Sequence, residues 1–186
     1  MRQYAPLAVA AMFLAFASQA VTPAGASPGA TRSSIVGRWE TVKTCQGDVA
    51  SARLAGLGPI APTIVGDFFP GKSPQQLARK RHLCSGAKPQ AHSHFFTRNG
   101  AFGSLDQNGQ QVDDGTYHVI NDHVIRINRV KFRYRIASGH LSLVPILSQK
   151  VKRETLAHPL NFTDAVWSVA MSYLGHRWHR VPCGRC

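Results

Sequence analysis

The 186-residue sequence is short of acidic residues. It contains 9 Asp and Glu against 22 Lys and Arg, which gives a formal net charge of +13 at pH 7. Only Glu40 and Glu154 are glutamates, so paired carboxylate catalysis would have to use aspartates, most of which lie in turn-like segments. A Gly-x-Ser-x-Gly nucleophile elbow and a glycine-rich phosphate loop are also absent from the sequence. These absences favour a binding protein over an enzyme, and we expect no cofactor.

Long apolar segments are scarce as well. Arg2 precedes an uncharged apolar run over residues 5–17, and small residues then allow cleavage after Ala20 or Ala26. The run is shorter than the roughly 20 residues that cross a bilayer, and no later stretch approaches that length. We therefore expect a signal peptide over residues 1–26, no transmembrane segment, and a secreted, extracellular protein. Residues 27–34 predict a flexible leader, and residues 35–186 predict one domain.

The four cysteines are Cys45, Cys84, Cys183 and Cys186. An even number in an exported chain predicts disulfide bonds. We favour a Cys45–Cys84 bond because it would close a long insertion at its two ends. Cys183 and Cys186 would then form a small loop, or remain as free thiols or alternative partners.

The central part of the sequence predicts a series of β-hairpins. Turn signals such as Asn99-Gly100 and Asn108-Gly109 separate short β-prone runs, and such pairs accept the positive φ angles of tight hairpins. The predicted strands cover residues 36–44, 92–97, 101–105, 117–120, 123–127, 130–136, 140–144, 167–173 and 177–181. A helical insertion is expected at about residues 47–84, with one helix capped by Asp48 and a second running from Ser73 to about Leu83. The expected fold is mainly β, an antiparallel up-and-down barrel of about 8–10 strands.

Two short motifs resemble the lipocalins. Gly37-Arg38-Trp39 on the first strand resembles the Gly-x-Trp signature of that family, and Trp178-His179-Arg180 resembles its C-terminal end. The helical insertion is also similar to the lid of fatty-acid-binding proteins. The chain thus resembles a lipocalin-like, calycin-type secreted bacterial domain, which implies that Trp39 closes one end of the barrel and that Arg180 packs across it. The lipocalin Thr-Asp-Tyr motif is missing, and no long helix is expected before the last strand.

A barrel of this size has a lumen that holds one small ligand. We therefore expect a secreted binding protein for a small, mainly apolar ligand, without a catalytic role. The residues expected to line the lumen are Phe96, Phe102, Phe132, Tyr134, Trp167 and Met171.

A row of cations suggests a second function. In residues 129–136, basic and apolar residues alternate, which puts Arg129, Lys131, Arg133 and Arg135 on one face of a strand. Such a face would bind an anionic polymer or a membrane or cell-wall surface through salt-sensitive contacts, or would simply be solvated. Aromatic residues are not interleaved with these cations, which argues against sequence-specific recognition of nucleic acid.

The histidines suggest a third function. His92 and His94 are two residues apart on a strand and face the same way, so with His118 or His123 they could hold zinc, copper or haem iron. The alternative is a pair of histidines hydrogen-bonded to their neighbours. We predict no metal site, because no carboxylate or cysteine has matching spacing. Residues 106–114 match a polar hairpin loop better than a calcium loop.

Overall fold

The computed structural model describes residues 34–183 and 186, so the predicted signal peptide and residues 27–33 of the predicted leader lie outside the described residues. Strand β1 (Gly37–Lys43) comes first. The insertion that follows contains helices α1 (Cys45–Leu54), α2 (Ala61–Ile64) and α3 (Pro74–Ala78), with 3₁₀ turns at Gly58–Ile60 and Val65–Phe68. Six further strands are β2 (Gln90–Phe96), β3 (Ala101–Leu105), β4 (Gln111–Asn121), β5 (Val124–Ile127), β6 (Val130–Ala137) and β7 (His140–Pro145). The last elements are helices α4 (Gln149–Ala157) and α5 (Asp164–Ser172) and strand β8 (Trp178–Val181).

The eight strands form one closed barrel in chain order, and every neighbouring pair is antiparallel. β1 pairs with β2 on one side and with β8 on the other, so Trp39 lies opposite both His94 and Arg180. This confirms the predicted up-and-down barrel, with eight strands and a helical insertion after the first.

The interior of the barrel is filled with aromatic side chains. Trp39, Phe96, Phe102, Phe132 and Trp178 are each at most 1% exposed and belong to one core cluster. A second cluster joins apolar residues of α1 and α2 to α5 and the residues after it, so the insertion has its own packed core over one end of the barrel. Along β6, inward apolar residues alternate with outward polar residues, and the inward set contributes Val130 and Phe132 to this core.

The insertion is anchored at both of its ends. Cys45, the first residue of α1, forms a disulfide with Cys84, 39 residues later. The Thr44 side chain accepts a hydrogen bond from the Gly47 amide and caps α1, so the helix starts three residues before the expected cap, Asp48. A second disulfide joins Cys183 and Cys186. Both predicted bonds are therefore present.

The second of the two predicted helices, which corresponds to α3, is shorter than expected. The Ser73–Gln76 capping box is formed, but α3 ends at Ala78 instead of near Leu83. Here the capping signal was correct, and the predicted length was wrong.

The largest error in the sequence-based prediction concerns residues 167–173. We expected a strand there and no long helix before the last strand, but the chain forms the nine-residue helices α4 and α5. Thr163 caps α5 by accepting a hydrogen bond from the Val166 amide, and Asp164 lies in the first turn, where negative charge favours a helix. The buried residues of α5 include Val166, Val169 and Met171. Large and small residues alternate in this segment, but the pattern also fits one face of a helix.

The helices of the described part of the chain are all too short or too polar to span a bilayer.

Candidate functional site

A cavity of about 660 Å³ lies at the end of the barrel where β1 ends and β2 begins. One wall comes from the barrel rim, through Lys43 of β1, His92 and His94 of β2, and Asp113 of β4. Opposite walls come from the insertion and from α5, and include Thr63, Ile64, Gly66, Asp67, Phe162, Trp167, Ala170 and Met171. The cavity is therefore assembled from segments that lie far apart in the sequence.

His94 is a structural side chain at the bottom of this cavity. It is fully buried, with Nδ1 2.8 Å from the Ser104 hydroxyl and Nε2 2.9 Å from the Met171 carbonyl. Because a carbonyl can only accept, Nε2 carries the proton and Nδ1 accepts from Ser104. Burial holds the pKa of His94 well below the ordinary imidazole value. Both ring nitrogens are thus occupied, and the helix α5 is tied to the barrel wall through this ring.

The Ser104–His94 pair has the hydrogen bond of a nucleophile and its base, but both side chains are buried. Ser104 is only 2% exposed and His94 is 0% exposed. The other imidazole nitrogen is oriented by a backbone carbonyl instead of a carboxylate. Both side chains lie at the floor of the cavity, and the pair joins β2, β3 and α5.

His92 is the polar group that the cavity leaves available. Its ring is 5.2 Å from that of His94, in an edge-on arrangement, and it makes no hydrogen bond to the described residues. Burial, and next the Lys43 charge, lower the pKa of His92 to about 4. At neutral pH this imidazole is uncharged and offers one donor and one acceptor to the cavity.

Three aspartates, Asp67, Asp106 and Asp113, line the same cavity. Asp106 is partly used by the β3–β4 turn, where its Oδ1 accepts from the amides of Asn108 and Gln110. Asp113 accepts a 2.6 Å hydrogen bond from the Trp167 indole, and burial raises its pKa. We expected Asp113 in a hairpin loop, but it lies on β4 and faces the cavity.

Lys43 and Asp48 form a buried ion pair beside the cavity. Lys43 Nζ lies 3.3 Å from Asp48 Oδ2 and donates a hydrogen bond to the Ala170 carbonyl. Burial raises the pKa of Asp48 to about 6, although the Lys43 ammonium acts in the opposite direction. The pair links β1, α1 and α5, and it neutralises Lys43, which lines the cavity.

The opposite end of the barrel is closed by Trp39. Its indole Nε1 donates to the Ile35 carbonyl at 2.8 Å, and the Arg180 guanidinium lies 4.5 Å from the ring centroid. Arg180 also donates to the carbonyls of Val36 and Ser34, which ties the segment before β1 to β8. Gly37 belongs to this closure, because a side chain there would come within 3.3 Å of the guanidinium. These are the positions in which the lipocalin resemblance puts Trp39 and Arg180.

The six expected lumen residues all belong to the barrel core, but they separate into two groups. Phe96, Phe102 and Phe132 are completely buried against their neighbours, and Tyr134 is partly buried against the same cluster. Trp167 and Met171 line the cavity, and they reach it from helix α5. This cavity is therefore lined by the two residues of α5 and by none of the four residues from the strands.

The histidines proposed as metal ligands do not converge. Tyr117 faces the interior and packs edge-on against Phe96, so the next residue, His118, faces outward opposite Arg126. His118 and His123 are exposed, whereas His92 and His94 lie inside. Among the described residues, no group of three His, Cys, Asp or Glu side chains is placed to hold a metal ion.

The four cations of the predicted stripe are all exposed. Lys131, Arg133 and Arg135 project from β6, and Arg129 directly precedes that strand. They are on the outer wall of the barrel and do not line the cavity.

A scan against protein-family models finds no match to this chain, and a search of curated proteins finds no significant relative. The closed antiparallel barrel is compatible with a lipocalin-like fold. The lining residues of the cavity therefore have to indicate what it could bind.

Sequence reasoning missed the pairs Asp113–Trp167 and Lys43–Asp48. The sequence does contain a signal for the Asp113–Trp167 pair. Asp113, Gly115 and Tyr117 lie at alternate positions of β4, so all three face inward if Tyr117 does. The second pair joins a strand to the helix that follows, and nothing in the local pattern indicates that both charges are buried.

Proposed function

We propose that this protein is a secreted, lipocalin-like binding protein that holds one small amphipathic ligand in the cavity at the helix-covered end of its barrel. The observation that carries the proposal is the cavity itself, whose volume of about 660 Å³ falls within the range of small-molecule sites. It is concave, bounded by three different parts of the fold, and lined by both apolar and polar side chains.

The lining favours a ligand with an apolar body and a polar end. Ile64, Trp167 and Met171 offer apolar contact, and burial of this kind contributes about 25 cal/mol per Å². The neutral His92 imidazole and the Asp113 carboxyl supply hydrogen bonds that fix orientation. The ligand is therefore less apolar than the aromatic core residues alone would suggest.

The scaffold around the cavity is preorganised, which supports binding. The Cys45–Cys84 disulfide fixes the ends of the insertion that forms one wall. The Tyr173 hydroxyl accepts a hydrogen bond from the Thr44 amide and joins the end of α5 to the start of α1. A wall that is already ordered costs little conformational entropy when the ligand binds.

Secretion is part of the proposal. Disulfide bonds persist in oxidising compartments outside the cytoplasm, and this chain has two. The apolar N-terminal run and the Gly37-Arg38-Trp39 motif agree with an exported lipocalin-like protein.

The test is ligand binding by the exported protein with the cavity open and with it blocked. Native mass spectrometry would detect co-purifying small molecules, and titration with the fluorescent probe N-phenyl-1-naphthylamine would detect a saturable apolar site. Val112 lines the cavity and is 57% exposed, so Val112→Trp would obstruct the entrance without disturbing the core. We expect this variant to lose at least tenfold in affinity for the probe.

The matched control is Val119→Trp. Val119 lies on the same strand, is 41% exposed and does not line the cavity, so this substitution should leave probe affinity within about twofold of wild type. Equal effects of the two substitutions, or the absence of saturable binding to the wild-type protein, would refute a ligand site at this end of the barrel.

A further inference from the structure

A second concave surface lies on the outer wall of the barrel and shares no lining residue with the cavity at the end of the barrel. It is a groove of about 440 Å³ between β6, the end of β7, the end of α1 and helix α4. Its lining includes Leu54, Arg133, Val144, Ile146, Leu147 and Lys152. The groove thus combines an apolar floor with two cations.

The apolar side chains around this groove are unusually exposed. Leu54 is 67% exposed, Ile146 is 42% exposed and Val144 is 38% exposed. Leu54 is the last residue of α1, Val144 lies on β7 and Ile146 follows that strand, and the groove brings all three to one patch. A contiguous apolar patch on a protein surface marks an interaction site more often than a single exposed apolar residue does.

The apolar patch lies beside the basic stripe. Arg133 belongs to both, since it lines the groove and projects from β6 between Lys131 and Arg135. The register of the sheet adds Arg126 opposite Lys131 and puts Val144 opposite Arg133. Successive outward cations on one strand are roughly 6.6 Å apart.

The outward residues of these three strands contain no carboxylate. In the part of the chain that the structure describes, they are Val124, Arg126, Lys131, Arg133, Arg135, Ala137, His140, Ser142 and Val144. The charged outward residues of these three strands are therefore all basic, and Val144 of the apolar patch lies next to Arg133.

We propose that this face docks on the surface of a lipid bilayer that contains anionic lipids. The cations would lie at the level of the lipid phosphates, and Leu54, Val144 and Ile146 would enter the boundary between headgroups and acyl chains. An anionic polymer would need only the cations, whereas a bilayer interface uses both the cations and the adjacent apolar side chains. The exposed apolar patch is what favours the bilayer, and the proposal is independent of the ligand cavity.

The experiment measures binding of the full chain to vesicles in about 0.1 M salt. Phosphatidylcholine vesicles with one quarter phosphatidylglycerol are compared with pure phosphatidylcholine vesicles, and retention on a heparin column is measured in parallel. The wild-type protein should sediment with the anionic vesicles and not with the neutral ones. Failure to bind the anionic vesicles would overturn the proposal.

Two sets of charge variants locate the surface. Lys131→Gln with Arg133→Gln and Arg135→Gln removes three cations of the stripe, and each is expected to contribute roughly fivefold to vesicle affinity. Arg79→Gln with Arg81→Gln and Lys88→Gln removes three exposed cations elsewhere and serves as the matched control. The stripe variant should lose more than tenfold in affinity, and the control less than threefold. Equal losses would show that net charge alone drives binding and would overturn the proposal.

The apolar variant separates a bilayer from a polymer. Leu54→Ser with Val144→Ser and Ile146→Ser keeps every charge and changes only exposed positions. It should weaken vesicle binding at least fivefold and leave the salt concentration of elution from heparin unchanged. Unchanged vesicle binding would show that the apolar patch has no part and would reject bilayer docking in favour of a purely electrostatic polyanion surface.

Discussion

The Trp167 indole donates a 2.6 Å hydrogen bond to Asp113 Oδ2 across the mouth of the barrel. This contact joins helix α5 to strand β4 and positions both an aromatic ring and a carboxyl group at the cavity. Burial raises the pKa of Asp113 above its ordinary value of 3.8, and the indole hydrogen bond opposes that shift. The hydrogen bond should therefore change when Asp113 takes up a proton, and the fluorescence of Trp167 can report that change.

We predict that Trp167 fluorescence changes with a midpoint above pH 3.8, because protonation of Asp113 weakens a hydrogen bond to a charged acceptor. The change should be measured from pH 3 to pH 7 in the wild-type protein and in Asp113→Asn, which keeps an oxygen acceptor but cannot titrate. The step should disappear in Asp113→Asn and also in Trp167→Phe. Its persistence in Asp113→Asn would assign it to another group.

His92 should make the protein less stable as the pH falls. Its pKa is lowered from 6.5 to about 4 in the folded protein, so between these values the unfolded chain binds a proton that the folded chain does not. Stability from this group is complete above pH 6.5 and is lost on acidification to about pH 4, by up to about 3 kcal/mol. Urea unfolding of His92→Gln should show a shallower loss over this interval than wild type.

The comparison with the variant is necessary because Asp48 acts in the opposite direction. Its pKa is raised to about 6, so the folded protein takes up a proton there first and gains stability as the pH falls through the same interval. The wild-type curve contains both contributions, and the difference between wild type and His92→Gln isolates the histidine. Parallel curves for the two proteins would contradict a lowered His92 pKa.

Removal of the Cys45–Cys84 disulfide should affect both stability and binding. For a separation of 39 residues, loop entropy gives a loss of about 4 kcal/mol in Cys45→Ser with Cys84→Ser. Affinity for N-phenyl-1-naphthylamine should also fall, since the released insertion forms a wall of the cavity. The Cys183–Cys186 bond closes only a short loop, so its removal should cost about 2 kcal/mol or less and leave probe binding intact.

The closed end of the barrel allows a test of geometry against charge. Arg180→Lys keeps the positive charge but loses the planar fork that reaches Val36 and Ser34 above the Trp39 ring. We expect Arg180→Lys and Arg180→Gln to lose a similar amount, about 1 kcal/mol, whereas Trp39→Ala should lose about 3–5 kcal/mol. Thermal or urea unfolding measures all three. Full stability in Arg180→Lys would show that charge alone is sufficient.

The barrel could be predicted from the sequence because its signals are local. Tight-turn pairs such as Asn99-Gly100 and the strict alternation of β6 each fix a hairpin without reference to distant residues. The Cys45–Cys84 bond followed from the position of the insertion between two strands. These features agree at every level, which is why the closed sheet was predicted correctly.

The cavity could not be predicted because its parts are distant in the sequence. Segment 167–173 was taken for a strand since its alternation fits two periodicities, and the helix is decided by the Thr163 cap and by packing on the insertion. His118 was grouped with His92 because the inward face of β4 is known only once Tyr117 is seen against Phe96. Which side chains converge on the cavity depends on tertiary contacts, and the local sequence pattern does not contain that information.

The pairing of β1 with β8 has a consequence for how the chain reaches its final form. That join consists of Arg38 with Val181, Trp39 with Arg180, and Glu40 with His179, so it unites residues from opposite ends of the domain. Such a contact has the largest loop-closure cost of any in the barrel and is expected to form late. During synthesis, one edge of β1 stays unpaired until residue 181 has been made. An unpaired strand edge is a place where two nascent chains can pair with each other. A high rate of synthesis should therefore favour aggregation, and a lower rate should favour closure of the barrel.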